Sequence, residues 1–341
     1  MELLFMITKK FWIGIIILTC IVLIGGGVWY LQNPQKQFSG PPESVTIRTA
    51  PSPSSTLIII ADSKGFFIRH GLNVTIQETP SSLTSMNNLF AGTADIAGAS
   101  DYAFMNYLFT EPTLQTFTST AKIDVVSIMA RRDRGIATPQ DLAGKKIGVT
   151  KQQIGEYFFA RYIILNGINS STITIVNVPI TEMPGLLANG TIDAAITWEP
   201  YIGTIQKQMG QEVVKFPAQE GQSYNWVMIC TNKTATERPG MIRNFLAALV
   251  DAESYTQQYP EEAQQIVANK LGLDPTYVRG VWPKYHPIVS LDQSLITLME
   301  AEGRFAIQTN LTAKREIPNY RGNIYRDGLD AVKPEAVTVI R

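Results

Sequence analysis

The stretch LLANGTIDAAITWEPY, Leu186 to Tyr201, decides the reading of this chain. Asn189-Gly190 suits the left-handed end of a helix, Ile192 to Thr197 is a short buried strand, and Pro200 closes the turn after it. The same pattern occurs 98 residues earlier as LFAGTADIAGASDYAF, Leu89 to Phe104. Gly92, Thr93, Asp95 and Ala97 match Gly190, Thr191, Asp193 and Ala195, and the same offset sets Ser100 opposite Trp198 and Asp101 opposite Glu199.

The echo continues upstream. The strand ending near Ile47, the polar turn Ala50 to Ser55 and the apolar run Thr56 to Ala61 correspond to Ile147, the turn Thr150 to Gln153 and the run Tyr157 to Ile164. Gly71-Leu72-Asn73 before the strand Val74 to Gln77 corresponds to Gly167-Ile168-Asn169 before Thr172 to Val176. Each half is a βαβαβ unit with a GTxD turn. Two such units face to face bring strand ends and helix starts together, where open α/β sheets bind ligands.

Before the repeats, Phe11 to Leu31 is a run of 21 residues without a charge, preceded by Lys9-Lys10. It is long enough to span a bilayer as an anchor at 1–31, with the binding part extracytoplasmic. A cleavable signal, with Gly25 to Gly27 as the small residues, is the competing reading. Residues 32–43 form a Pro/Gly/Gln/Ser linker. The remainder is read as two lobes: 44–130 for the first part of lobe 1, 131–227 for lobe 2, and 228–341 for the completion of lobe 1.

Composition excludes several classes. Lys plus Arg equals Asp plus Glu at 29 each, with no basic cluster among aromatics, so nucleic acid is not expected as a partner. Two cysteines, Cys20 and Cys230, make no disulfide framework, and His70 and His286 lack neighbours at ligand spacing, so no metal is expected. No GxxxxGK[ST] run is present, so ATP is not expected to bind; no cofactor is expected. Five Asn-x-Ser/Thr sequons, beginning at Asn73, Asn169, Asn189, Asn232 and Asn310, are compatible with export and carry little weight.

The candidate site residues lie where strand ends meet helix starts. Ser54 and Ser55 open the helix through Ala61, and Gln152, Gln153 and Gly155 open the helix Glu156 to Leu165; free N–H groups there stabilise an oxyanion without an arginine. Ser100 and Asp101 follow the strand at Ile96, with Asp101 either capping a helix or touching ligand. Trp198 is either a flat wall for an organic ligand or a plug in the core beneath Pro200. Glu199 beside a bound anion is repulsive, so it either turns away to hold the hinge or pairs with a ligand amine. Tyr224, Asn225 and Trp226 line the cleft or pack between lobes.

TPQDLAGKKIGVT (Thr138 to Thr150), QQIGEYFFARYIILNGI (Gln152 to Ile168) and GTIDAAITWEP, with GFFIRHGLNVTI (Gly65 to Ile76) and PGMIRNFLAALVDAESY (Pro239 to Tyr255), resemble the nitrate, sulfonate and taurine-type substrate-binding proteins of ABC importers, the SsuA/THI5-like or NMT1-like group. The resemblance runs from Val45 to the end. It implies a type II periplasmic binding protein fold: two α/β lobes, two chain crossings, a ligand between them, and the first lobe completed by the C-terminal part. The crossings are expected near Ala130 to Arg134 and at Val227 to Thr231. The function implied is capture of a sulfonate, taurine or nitrate-like anion by hinged closure and delivery, as a monomer, to a permease and its ATPase. A pyrimidine-precursor binder, a THI5-like or menaquinone-type enzyme, and a sensor subunit are the alternatives; catalysis is not expected.

Overall fold

The two GTxD segments hold equivalent places in two separate sheets. The computed structural model describes residues 40–340. The apolar segment Phe11 to Leu31 and most of the linker, with the anchor or signal reading attached to them, lie outside the described residues. No helix among the described residues is long and apolar enough to cross a membrane.

The chain runs β1 (Glu43–Thr49), α1 (Thr56–Ser63), α2 (Phe66–Arg69), β2 (Leu72–Glu78), α3 (Ser82–Phe90), β3 (Ile96–Ser100), α4 (Asp101–Leu108) and β4 (Leu114–Ile123). A second set comprises β5 (Ser127–Arg131), β6 (Lys146–Val149), α5 (Ile154–Leu165), β7 (Thr174–Asn177), α6 (Met183–Ala188), β8 (Ala194–Thr197), α7 (Tyr201–Met209) and β9 (Val213–Pro217). The chain then returns through β10 (Tyr224–Thr231), α8 (Asn232–Glu237), α9 (Pro239–Gln258), α10 (Pro260–Leu271), α11 (Pro275–Val281), β11 (Tyr285–Ser290), α12 (Gln293–Gln308) and α13 (Asp327–Val332). One sheet has the order β11-β4-β10-β3-β1-β2 and the other β7-β6-β8-β5-β9.

The repeat is physical. β1 lies between parallel β2 and β3, as β6 lies between parallel β7 and β8. Ile47 pairs with Ile76 and Ile96, and Ile147 with Ile175 and Ala194. Gly92 (φ 72°) and Gly190 (φ 77°) turn the chain left-handed after α3 and α6, a conformation that costs a Cβ-bearing residue. The aspartate three residues later then reaches the first strand of its unit. Asp95 Oδ2 accepts the Thr46 N–H at 2.7 Å, and Asp193 Oδ2 accepts the Lys146 N–H at 2.9 Å. Each aspartate also donates its own N–H back to that same residue's carbonyl. A carboxylate at this point satisfies a backbone donor of that strand, which explains Asp in both copies.

Burial follows from the layering. All five residues of β3 are buried, as expected of a strand covered on both faces. In α9, Met241, Phe245, Ala248, Leu249 and Ala252 repeat at helical spacing and are all buried. Phe245 stacks on Phe67 at 5.3 Å and meets Phe117 edge-on at 5.8 Å. The second lobe has an additional small core around Met129, Met183, Leu187, Ile192 and Ile202.

Both crossings differ from the places expected. Ser127–Arg131 pairs with β8 and β9, so the first handover is at residues 124–126 rather than at Ala130 to Arg134. Tyr224 to Trp226 already pair with β4 in the first sheet, so the second is at 218–223 rather than at Val227 to Thr231. The lobe boundaries set at 130/131 and 227/228 move accordingly. The two crossings are bonded to one another. Ala218 donates to the Val126 carbonyl, while the buried Gln219 side chain accepts the Val126 N–H at 2.7 Å and donates to the carbonyls of Ile123 and Gln222.

Candidate functional site

The cleft between the lobes is a gathering of helix beginnings. A cavity is lined by Ser52, Ser81, Ser100, Gln153 and Pro200, each of which stands immediately before a helical segment. The first three belong to the first lobe and the last two to the second. N–H groups in the first helical turn have no partner within the helix, and the macrodipole makes that end positive. Such a cavity favours negative charge without a cationic side chain, and no Lys, Arg or His is among its lining residues.

The walls between these helix starts are aromatic: Trp198, Tyr201, Tyr224, Trp226 and Tyr285. Trp226 lies on β10 opposite Ser100 of β3 and is 5 % exposed, yet its indole Nε1 has no hydrogen-bond partner. An unpartnered buried donor is costly unless something in the cavity accepts from it. Gly98 makes room for this ring, since a Cβ there would lie 2.9 Å from Nε1. Across the cleft, a Cβ on Gly155 would lie 3.2 Å from the Trp198 ring. The space left between the walls is about 30 Å³ to a water-sized sphere, so the lobes stand close together.

Seven of the twelve residues singled out from the sequence line this cavity: Ser54, Ser100, Gln153, Trp198, Glu199, Tyr224 and Trp226. The other five do not. Ser55 turns inward, donating to the Ala50 carbonyl at 2.8 Å and meeting the Thr49 hydroxyl at 2.9 Å. Asp101 is fully buried, and its Oδ2 accepts both the backbone and side-chain N–H of Asn225, at 2.7 and 2.8 Å. Those two residues therefore form one buried pair behind the wall, and burial pushes the Asp101 carboxyl up to about 6 despite these bonds. Ser100, not Asp101, caps α4, accepting the Ala103 N–H at 3.3 Å. Gly155 sits under Trp198 as its spacer.

Gln152 is displaced by its backbone. It has φ 60°, and its N–H goes to Glu156 Oε2 at 2.8 Å, so that donor is already taken. Its side chain lines a hollow of about 570 Å³ beside α5, with Phe159, Ile163, Ile173, Ile175 and Leu311. That hollow is larger, but it has neither the gathered helix starts nor the unpartnered indole, so the smaller cleft is the candidate site.

Glu199 combines two features. Its Oε2 accepts the Gly203 N–H at 3.1 Å and a short hydrogen bond from the Tyr277 hydroxyl of α11, while Oε1 has no donor among the described residues. The carboxylate precedes α7, whose positive end favours it. The Glu199-Pro200 peptide bond is cis. Sequence reading gave Tyr277 no part, because a helix of the C-terminal set carries no signal that its tyrosine reaches the opposite lobe. Tyr201 and Tyr285 were also missed. Tyr285 begins a strand, β11, directly after helix α11 and a 3-10 turn.

Two α/β lobes with a narrow cleft at their strand ends define the class: a periplasmic-binding-protein-like fold. Residues 52–263 match the NMT1/THI5-like family model, and the chain belongs to that family. A Brucella abortus protein provisionally named a binding protein is 24 % identical over 229 residues, 64 % of this chain and 69 % of its own length. The alkanesulfonate-binding protein SsuA from Xanthomonas axonopodis pv. citri, solved with MOPS, superposes with a TM-score of 0.74 at 17 % identity, over 84 % of this chain and all of that one. The desulfurization enzyme DSZB superposes with a TM-score of 0.66 at 17 % identity, over 86 % and 99 %. The same fold thus carries both binding and catalysis among its solved members.

Proposed function

We propose that this chain is the extracytoplasmic solute-binding component of an ABC importer, trapping a small organic solute between its lobes and delivering it to a permease. The observation that carries this reading is the convergence of helix starts from both lobes, around two tryptophans, on one narrow cavity. A solute touching both lobes binds the closed arrangement better than the open one and so shifts the population toward closure.

The chemistry of the walls narrows the solute. Helix N-termini and the Trp226 indole N–H call for an acidic head group, of which a sulfonate is one. Glu199 Oε1 calls for a donor on the same molecule. An amine-bearing organic anion, such as the taurine type, meets both demands, whereas nitrate meets only the first. Glu199 between aromatic walls also favours a second reading, an aminopyrimidine of the kind that serves as a thiamine precursor, held by ring stacking and an amino-to-carboxylate hydrogen bond. Binding is favoured over catalysis by the likeness to the SsuA alkanesulfonate-binding protein and to the Brucella protein provisionally named a binding protein. The anchor at 1–31 would keep the lobes outside the membrane beside the permease.

A thermal-shift panel tests this. Taurine, alkanesulfonates, nitrate, bicarbonate and aminopyrimidines are added in turn to the full chain in detergent. The zwitterionic sulfonate is expected to raise Tm in proportion to the logarithm of its concentration, and nitrate to leave it unchanged. A response to nitrate equal to that for taurine would remove Glu199 from the account.

A further inference from the structure

Glu199 and Tyr277 come from opposite sides of the cleft. Glu199 follows β8 of the second sheet. Tyr277 is on α11, which packs against α10, and α10 in turn against α1 of the first lobe. Their hydrogen bond therefore joins the lobes away from the two chain crossings. A third residue shapes it: Gly203, in the first turn of α7, donates its N–H to the same Oε2 and lies under the Tyr277 ring, where a Cβ would stand 2.8 Å from Cε2. The absence of a side chain at 203 lets the phenol reach the carboxylate. Burial and the neighbouring Glu199 charge push the Tyr277 hydroxyl well above the ordinary tyrosine range, so it stays a donor.

We infer that Tyr277 is a positioning residue that latches the lobes in the closed arrangement and fixes Glu199 so that only Oε1 faces the solute. This rests on the hinged-binding reading above but concerns a residue outside the cavity wall. The chemistry has three consequences. A carboxylate accepting a phenol and an amide N–H on one oxygen is tolerated in a cavity built for an anion, because part of its charge is neutralised there. The latch adds to closure whether or not solute is present. Its loss raises the escape rate of solute more than the entry rate, because the bond exists only when the lobes are together.

Tyr277→Phe removes the hydroxyl and keeps the ring against Gly203. The test uses the full chain in detergent, with Cys20→Ser and spin labels on Lys207→Cys in the second lobe and Lys233→Cys in the first. Without any solute, Tyr277→Phe is expected to move population from the shorter to the longer interlobe distance, and Gly203→Ala, which displaces the ring, to do the same. With the responding solute from the thermal-shift panel, Tyr277→Phe is expected to speed dissociation about ten-fold and change association less than about two-fold. A distance distribution and a dissociation rate both unchanged from the parent would overturn the latch while leaving solute binding intact. A shifted distribution with no solute found would instead support the latch and count against the importer reading. Unaltered melting of Tyr277→Phe separates the effect from general loss of packing.

Discussion

The two halves of this molecule share a staple and diverge at the strand end beyond it. In both, a left-handed glycine ends a helix, and the aspartate three residues on reaches back to the first strand of its unit. In the first lobe the next strand, β3, runs into Ser100 and Asp101, and the Asp101 carboxylate is swallowed by the fold to hold Asn225. In the second, β8 runs into Trp198 and Glu199, and both line the cleft. Matched positions thus hold the scaffold on one side and line the cleft on the other. The difference shows that a repeat fixes where loop tips go, while the side chain and its partners from distant segments fix what each tip does.

The largest consequence of this divergence is expected at Asp101. Its folded-state value of about 6 is raised above the ordinary carboxyl value by burial, so its contribution to stability is fully present below about pH 4 and lost as pH rises through about 6. Asp101→Asn removes the ionisation. Denaturant unfolding at pH 4 and at pH 7 should show the variant gaining on the parent by about 2–3 kcal/mol across that range. The buried Glu302, pushed upward by burial and by Asp101, shifts stability in the same direction; in the variant the burial remains and the Asp101 charge does not. A gap between parent and variant that ignores pH would show that Asp101 is ionised without cost.

A smaller effect compares the staples. Asp95 also pairs with Arg238, which in addition holds Glu43 at 2.7 Å and the Ser44 carbonyl at 3.1 Å. Asp193 has only a looser pairing with Arg134, at 3.5 Å. Asp95→Ala should therefore lower stability by about 2 kcal/mol and Asp193→Ala by about 1 kcal/mol in chemical denaturation. The reverse order would mean that the backbone bond, not the arginine, dominates. Smallest is Gly155→Ala. The added methyl presses on the Trp198 ring at 3.2 Å, and solute affinity should change by less than about five-fold with Tm nearly constant.

Much of this architecture was legible in the sequence because the repeat carries its own register. Gly92/Gly190 and Asp95/Asp193 locate equivalent turns, and those turns place the strand ends that line the cleft. The features that escaped were set by partners far along the chain. β4 reads as polar, with Thr116, Thr118, Ser119 and Thr120 in it, yet it lies inside the sheet between β10 and β11 and these side chains are buried. Gln152 looked like a loop donor, but its left-handed backbone turned it toward α5. Glu199 could be read two ways from sequence, and the tyrosine 78 residues later that engages it was visible only in three dimensions.

The most direct measurement is calorimetric titration of the full chain with the responding solute, run on two variants that remove one wall from each lobe. Trp226→Phe deletes the unpartnered indole donor of the first lobe, and Trp198→Ala deletes the flat wall of the second. Each is expected to weaken binding at least about ten-fold, with one site per chain in the parent. Full affinity surviving in either variant would mean that solute rests on a single lobe, and a pocket shared by the two repeats would be contradicted.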